Sequence, residues 1–186
     1  ERQATLLRGY LGERGHHVTV RYAMRYGSGT APDMATASEQ ADTLMVYKAQ
    51  KRMQLLKDGV VLKEYNISLG KNPVGHKQAE GDERTPEGRY TIDWRNEQSI
   101  AHLSLHISYP NAEDKQRAAA ANVEPGGNIM IHGLLNGWGG IGEWHRRWDW
   151  TNGCIAVTNE EVREIWSRVP NGTPIVIDAA YVNSHL

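Results

Sequence analysis

The chain has 186 residues, 39% of them apolar and 23% charged, enough to bury one ordinary core and too apolar for a chain disordered throughout. Lys and Arg number 21 against 22 Asp and Glu, a formal charge of -1, which argues against nucleic acid as the main partner, because phosphate binding wants a positive surface. No apolar stretch approaches the ~20 residues that cross a bilayer, and the single cysteine, Cys154, has no partner for an internal disulfide.

Residues 1–41 read as an N-terminal appendage, with a short helix over 5–12, partial alternation over 18–26 and a loop at Gly27-Ser28-Gly29-Thr30-Ala31-Pro32. The first residue is Glu1, which fits a processed or truncated product. A main domain is expected over 42–178, with a short tail over 179–186. Short strands are expected at 43–47 and 52–56; Asp58-Gly59 then suits a hairpin turn with positive backbone angles, leading into a third strand over 60–68. Asn72-Pro73 ends this pattern, and residues 80–88 form a charged turn region. His76 and Lys77 read as turn residues near its edge.

Extended character resumes at 89–93. Residues 103–108 alternate with period two, which puts Ser104 and His106 on one face and Leu105 and Ile107 on the other. Asn111 can cap a helix over 112–121, with Glu113 and Asp114 near its positive end. Gly126-Gly127 precedes a strand over 128–132. Gly137, Gly139, Gly140 and Gly142 then loosen a segment carrying Trp138, Trp144, Trp148 and Trp150, which reads as a lid, with His145 as a surface residue of it. Thr158 and Glu161 form a capping box for a helix to Arg168, whose apolar stripe is Val162, Ile165, Trp166 and Val169. Pro170-Asn171-Gly172 breaks that helix, and 173–177 closes the domain as a strand. The expected fold is mainly β with two modest helices.

Chemistry concentrates at Cys154. A thiolate divides acyl transfer into two steps: sulfur attacks a carbonyl, an amine leaves, and a second nucleophile resolves the acyl-enzyme. The unperturbed thiol has a pKa near ~8.5 and needs a neighbour to ionise it. His132, at the end of the strand Ile131-His132-Gly133, is the expected general base, with a backbone carbonyl such as that of Gly133 holding its second ring nitrogen. The loop Thr151-Asn152-Gly153-Cys154 is expected to position the thiol, and the amides of Gly153 and Cys154 to stabilise an oxyanion.

The ordered pair Ile131-His132-Gly133 and Thr151-Asn152-Gly153-Cys154 resembles the catalytic signature of the YkuD-type L,D-transpeptidases. The resemblance extends through Ser68-Leu69-Gly70, Pro73-Val74-Gly75-His76-Lys77, Glu80-Gly81-Asp82, Arg84-Thr85-Pro86-Glu87-Gly88 and Ser108-Tyr109-Pro110-Asn111, over residues 42–177. These blocks are similar to the periplasmic murein L,D-transpeptidase-like branch of Gram-negative bacteria. The resemblance implies a YkuD-like β-sandwich and a Cys154 thioester acyl-enzyme with His132 as base and no cofactor or metal. The implied donor is the tetrapeptide stem of peptidoglycan, attacked at its third residue, commonly meso-diaminopimelate, with release of D-Ala. The acceptor is an amine or water, and a wall-linked envelope protein is a further partner the resemblance allows. It places the reaction in the periplasm, the chain being processed or lacking its membrane anchor.

This chain departs from many members in having Ile155, not Arg or His, after the cysteine; Arg84, Arg146 or Arg147 are candidates to supply the missing charge. His106, Ser108, Tyr109, Arg84, Trp138, Arg146 and Trp150 are the substrate-binding candidates. Two rivals stand beside acyl transfer. A zinc-dependent wall amidase would use His106, His132, His145 and Cys154, though His-Glu-any-any-His is absent. A noncatalytic wall-binding module would make the thiol and His132 coincidental.

Overall fold

The computed structural model describes residues 31–179 of the chain; the expected helix over 5–12 and the alternating stretch over 18–26 lie outside them. Eight strands form one sheet in the order β3-β2-β1-β8-β4-β5-β6-β7. They are β1 Thr43–Tyr47, β2 Arg52–Lys57, β3 Val60–Asn66, β4 Gly88–Ser99, β5 His102–Ile107, β6 Met130–His132, β7 Ile155–Ala156 and β8 Pro174–Asp178. Among the described residues, the α-helices α1 Ala112–Ala120 and α2 Asn159–Arg168 and a 3-10 segment over Gly139–Arg147 accompany the sheet. Among the described residues, no helix is long and apolar enough to cross a membrane.

The β1–β2–β3 meander follows from strict alternation and one turn. Leu44 and Val46 point inward from β1, as do Met53 and Leu55 from β2, and all four are fully buried. Asp58 and Gly59 both carry positive φ, 51° and 76°, as the expected hairpin requires. β8 returns parallel to β1, with Ile175 and Ile177 opposite Leu44 and Val46.

β4 joins the two halves of the sheet. Its first residues, Gly88–Thr91, pair with β8, and from Ile92 onward it pairs with β5. The curl this produces encloses one core, running from Leu44 and Met53 through Ile92, Leu105 and Ile131 to Val162 and Trp166. α2 closes the core with its expected stripe; Val162, Ile165 and Trp166 are buried, and the Thr158/Glu161 capping box is formed. The cap of α1 is reciprocal too, Asn111 accepting from the Asp114 amide while the Asp114 carboxylate accepts from the Asn111 amide. Residues 33–41 run beside the end of α2, with the Ala35 and Ala41 amides donating to Ser167 and Arg168 carbonyls.

Candidate active site

β5, β6 and β7 bring the predicted catalytic pair onto one surface. Ser104 lies opposite His132 and His106 opposite Met130, while His132 lies beside Ala156 on the parallel β7. Opposed residues share a face, so Ser104, His106, Met130, His132 and Ala156 form one row of side chains. Cys154, two residues before Ala156, comes up on this face at the level of Met130. The alternate residues Leu105, Ile131 and Ile155 face the core.

The nucleophile loop is fixed by short backbone approaches. Thr151 bridges to Gly70, its hydroxyl donates to the Cys154 carbonyl at 2.7 Å and accepts from the Gly153 amide at 3.1 Å. Gly153 has φ 120°, and a Cβ there would sit 2.6 Å from the Arg84 carbonyl oxygen. At Gly70 a Cβ would come within 2.1 Å of the Glu83 carbonyl oxygen. Only glycine admits these contacts. They explain why the Ser68-Leu69-Gly70 and Arg84-Thr85 segments, distant in sequence, wall the loop. The Gly153 amide, expected to stabilise an oxyanion, is instead committed to Thr151.

Cys154 is half-buried, its Sγ lying 3.5 Å from the Asn128 carbonyl. Burial pushes the thiol up to about 11, against the opposing pull of the Met130 backbone and the Lys77 charge. A neighbouring proton acceptor is therefore needed to free the thiolate. Lys77 is buried and held by Asp82 at 2.8 Å and the Ala79 carbonyl at 2.9 Å. It reads in sequence as a turn residue, yet it is the cation whose charge bears on the thiol. Arg84 packs its main chain against the loop, and Arg146 pairs with Glu143 and Glu161, tying the 3-10 segment to α2.

His132 is buried and its pKa lies below the ordinary imidazole value, since burial disfavours the charged ring. Its Nδ1 donates to the Gly133 carbonyl at 2.6 Å, leaving the Nε2 lone pair as the proton acceptor. Gly133 is itself close-packed, a Cβ there meeting Asn159 Oδ1 at 2.7 Å. The Trp150 ring stands edge-on to His132 at 5.7 Å and its Nε1 donates to His145 Nδ1 at 3.4 Å. His145 is buried, with its Nδ1 3.1 Å from the Ser68 hydroxyl, so its expected surface position is corrected. The glycines that suggest a loose loop flank a histidine that anchors it. Burial and then the Arg146 charge lower the His145 ring to about 4.

The remaining candidates separate. His106 lies in the row, bonded through Nδ1 to Asp93 at 2.6 Å and stacked under Trp94. Tyr109 is buried, its hydroxyl on the Pro125 carbonyl at 2.9 Å and its ring edge-on to Tyr90, as part of the core. The Ser108 hydroxyl accepts from the Thr91 amide at 2.9 Å, a structural use. Trp138 caps the 3-10 segment, its amide donating to the Leu135 carbonyl at 2.8 Å, and Asn152 is exposed at the loop tip. Asp93 and Trp94 carried no sequence signal, because the distortion that brings them together belongs to strand pairing. Among the described residues, no group of three His, Cys, Asp or Glu side chains is arranged to hold a metal.

The family model of the L,D-transpeptidase catalytic domain, YkuD, matches residues 41–177. The chain belongs to this family. The "Putative L,D-transpeptidase YafK" of Escherichia coli K12 is 29% identical over 133 residues, 68% of this chain and 46% of that protein. The helical cell shape determining protein Pgp2 of Campylobacter jejuni is 24% identical, with a TM-score of 0.57 over 75% of this chain and 48% of that one. Bd1075 of Bdellovibrio bacteriovorus is 21% identical with a TM-score of 0.54, over 82% and 53%. These two structures share this chain's mostly β fold, the class the sequence implied, with the expected β-sandwich taking the form of one curled sheet. A separate likeness is short: 34 residues, 18% of the chain, are 65% identical to 9% of a ferrochelatase of Dechloromonas aromatica. The chain thus spans under half of YafK and about a tenth of the ferrochelatases.

Proposed function

We propose that this YkuD domain is a cysteine-dependent L,D-transpeptidase of peptidoglycan tetrapeptide stems, working in the periplasm. The observation that carries the reading is the placement of the pair on one face of the sheet: Cys154 immediately before β7, and His132 on the paired β6 with Nδ1 fixed on the Gly133 carbonyl so that Nε2 is the nitrogen left to accept a proton. As Sγ attacks the carbonyl of the third stem residue, Nε2 takes the thiol proton. The Cys154 amide is the donor left for the oxyanion. When the intermediate collapses, the imidazolium returns the proton to the departing D-Ala amine and a thioester remains. An acceptor amine then attacks, His132 removes its proton, and the thiol re-forms as the new amide is released.

Hydrolysis is the second reading, and the partial exposure of Cys154 beside exposed Asn152 favours it: water reaching the thioester would yield a tripeptide. A wall-linked envelope protein would be handled by the same donor chemistry. Time-resolved intact-mass measurement with a disaccharide-tetrapeptide, with and without a diaminopimelate-containing acceptor, separates these readings. The expected result is a transient adduct on the native protein, absent from Cys154→Ala, that resolves to an amine-linked product. Resolution to tripeptide alone would establish hydrolysis. A folded native protein that forms neither adduct nor product would sink the proposal.

A further inference from the structure

The row of side chains that holds Cys154 does not end at His106. β5 pairs with β4 through Ile92 opposite Ile107 and Arg95 opposite Leu105. Two residues, Asp93 and Trp94, therefore oppose the single residue His106. This β-bulge turns both side chains toward the same neighbour. Asp93 Oδ1 lies 2.6 Å from His106 Nδ1. The Trp94 indole stacks on the imidazole with centroids 4.6 Å apart and planes 16° apart. His106 is thereby covered, while Trp94 remains 41% exposed, so the outer indole surface faces solvent. Bulges of this kind commonly re-aim side chains beside active sites.

The row runs Cys154, Met130, His106, then Asp93 and Trp94, across β7, β6, β5 and β4. At about 4.8 Å per strand, His106 sits roughly 10 Å and the β4 backbone roughly 14 Å from the Cys154 position, and the Asp93 and Trp94 side chains lean back from β4 onto His106. The platform is an aromatic face edged by a carboxylate. An indole face attracts a cation, and the carboxylate at its edge favours that cation over a neutral sugar or an apolar side chain. We infer that Asp93, Trp94 and His106 form a subsite for the free side-chain ammonium of the donor's diaminopimelate residue. This rests on the transpeptidase reading of Cys154. In an extended diaminopimelate residue that ammonium lies about 7 Å from the carbonyl under attack, and the sulfur-to-carbon separation adds to the span. The bulge would thus select donors that carry a charged third residue, and Trp94 and Asp93 are specificity-determining residues.

Calorimetry on the full Cys154→Ala chain tests binding without turnover. The probes are the disaccharide-tetrapeptide with its free diaminopimelate amine and the same compound N-acetylated at that amine. The free amine should bind roughly five- to tenfold tighter. Adding Trp94→Ala or Asp93→Asn should reduce the gap below about twofold, whereas Trp94→Phe should retain most of it. Equal affinity of the two probes for the Cys154→Ala parent overturns the subsite, as does a gap surviving in folded Asp93→Asn and Trp94→Ala variants. Adduct formation on the native protein separates the two readings. Equal acylation by both probes removes the subsite and leaves the transpeptidase standing. No binding of either probe, together with no adduct, removes both.

Discussion

The two halves of the sheet are built on different rules. In the β3-β2-β1-β8 half, the buried inward positions are apolar: Leu44, Val46, Met53, Leu55, Tyr65, Ile175 and Ile177. Outward positions hold exposed polar pairs such as Arg52 with Glu64. In the β4-β5-β6-β7 half, the face away from the core is not given over to solvent. Ser104 and His132 are buried there, Ser99 bonds Ser104, and the 3-10 segment with Trp150 and His145 covers part of it. Burying polar groups without partners is unfavourable, so a half that keeps them beneath a cover does so for something other than stability. The first half makes the fold, and the second uses it.

Replacing a residue of each half should therefore break different properties. His132→Gln keeps a polar group near the Gly133 carbonyl but removes the Nε2 base. Acylation by a carbapenem, a strained cyclic amide, should slow by about 10²- to 10⁴-fold, while the unfolding midpoint falls by the equivalent of about one hydrogen bond, ~1 kcal/mol. Rapid-mixing mass spectrometry beside urea denaturation measures both. An unchanged acylation rate in a folded variant would remove His132 from the chemistry.

Leu44→Ala should do the reverse. Leu44 is fully buried at the centre of the first half, opposite Ile175 and Leu55. Truncation there should lower unfolding stability by about 2 to 5 kcal/mol yet leave the acylation rate of the folded fraction within about twofold, since Leu44 and the thiol loop lie in different halves of the sheet. A large loss of rate in the folded fraction would show that the halves are coupled.

The same contrast governs what could be read from sequence. Period-two alternation located β1, β2 and β8 within about a residue, because one face is core and the other is solvent. Asn111 and Thr158 marked their helices, since capping is local chemistry. The order His132, Thr151, Gly153, Cys154 pointed to the family before any fold was known. What escaped is non-local. His145 lies in a glycine-rich stretch, and its burial depends on Ser68, distant in the chain. Lys77 resembles any turn lysine until Asp82 folds over it. The β4 strand is more than twice the length of its legible part, residues 89–93, because its polar second half Trp94–Ser99 is extended by pairing with β5 and not by alternation of its own. Tyr109 stands in a block of the family resemblance, yet its ring is buried in the core and its hydroxyl is held by the Pro125 carbonyl.

Acid stability offers the finest test of the difference between halves. His132 and His145 both titrate lower in the folded protein than in the unfolded chain, chiefly because burial disfavours the imidazolium, and His145 reaches about 4. Below the unfolded value near ~6.5, the unfolded chain binds protons that the folded chain refuses. Stability contributed by these neutral rings is thus full above about pH 6.5 and declines as pH falls toward 4, by up to ~1.4 kcal/mol per pH unit for each ring. Carboxylates act in a separate window. For Asp82, burial opposes ionisation, but the Lys77 ammonium and the Gln78, Arg84 and Ala79 amides outweigh it and hold the group low. Its contribution is lost only as pH falls below about 4. Urea midpoints between pH 7.5 and 4.5 should therefore fall for the native chain and fall less for His145→Gln, whose side chain cannot take a proton. A native chain with a flat profile across that range would mean that both rings charge freely when folded, and that the cover over the second half is open to water.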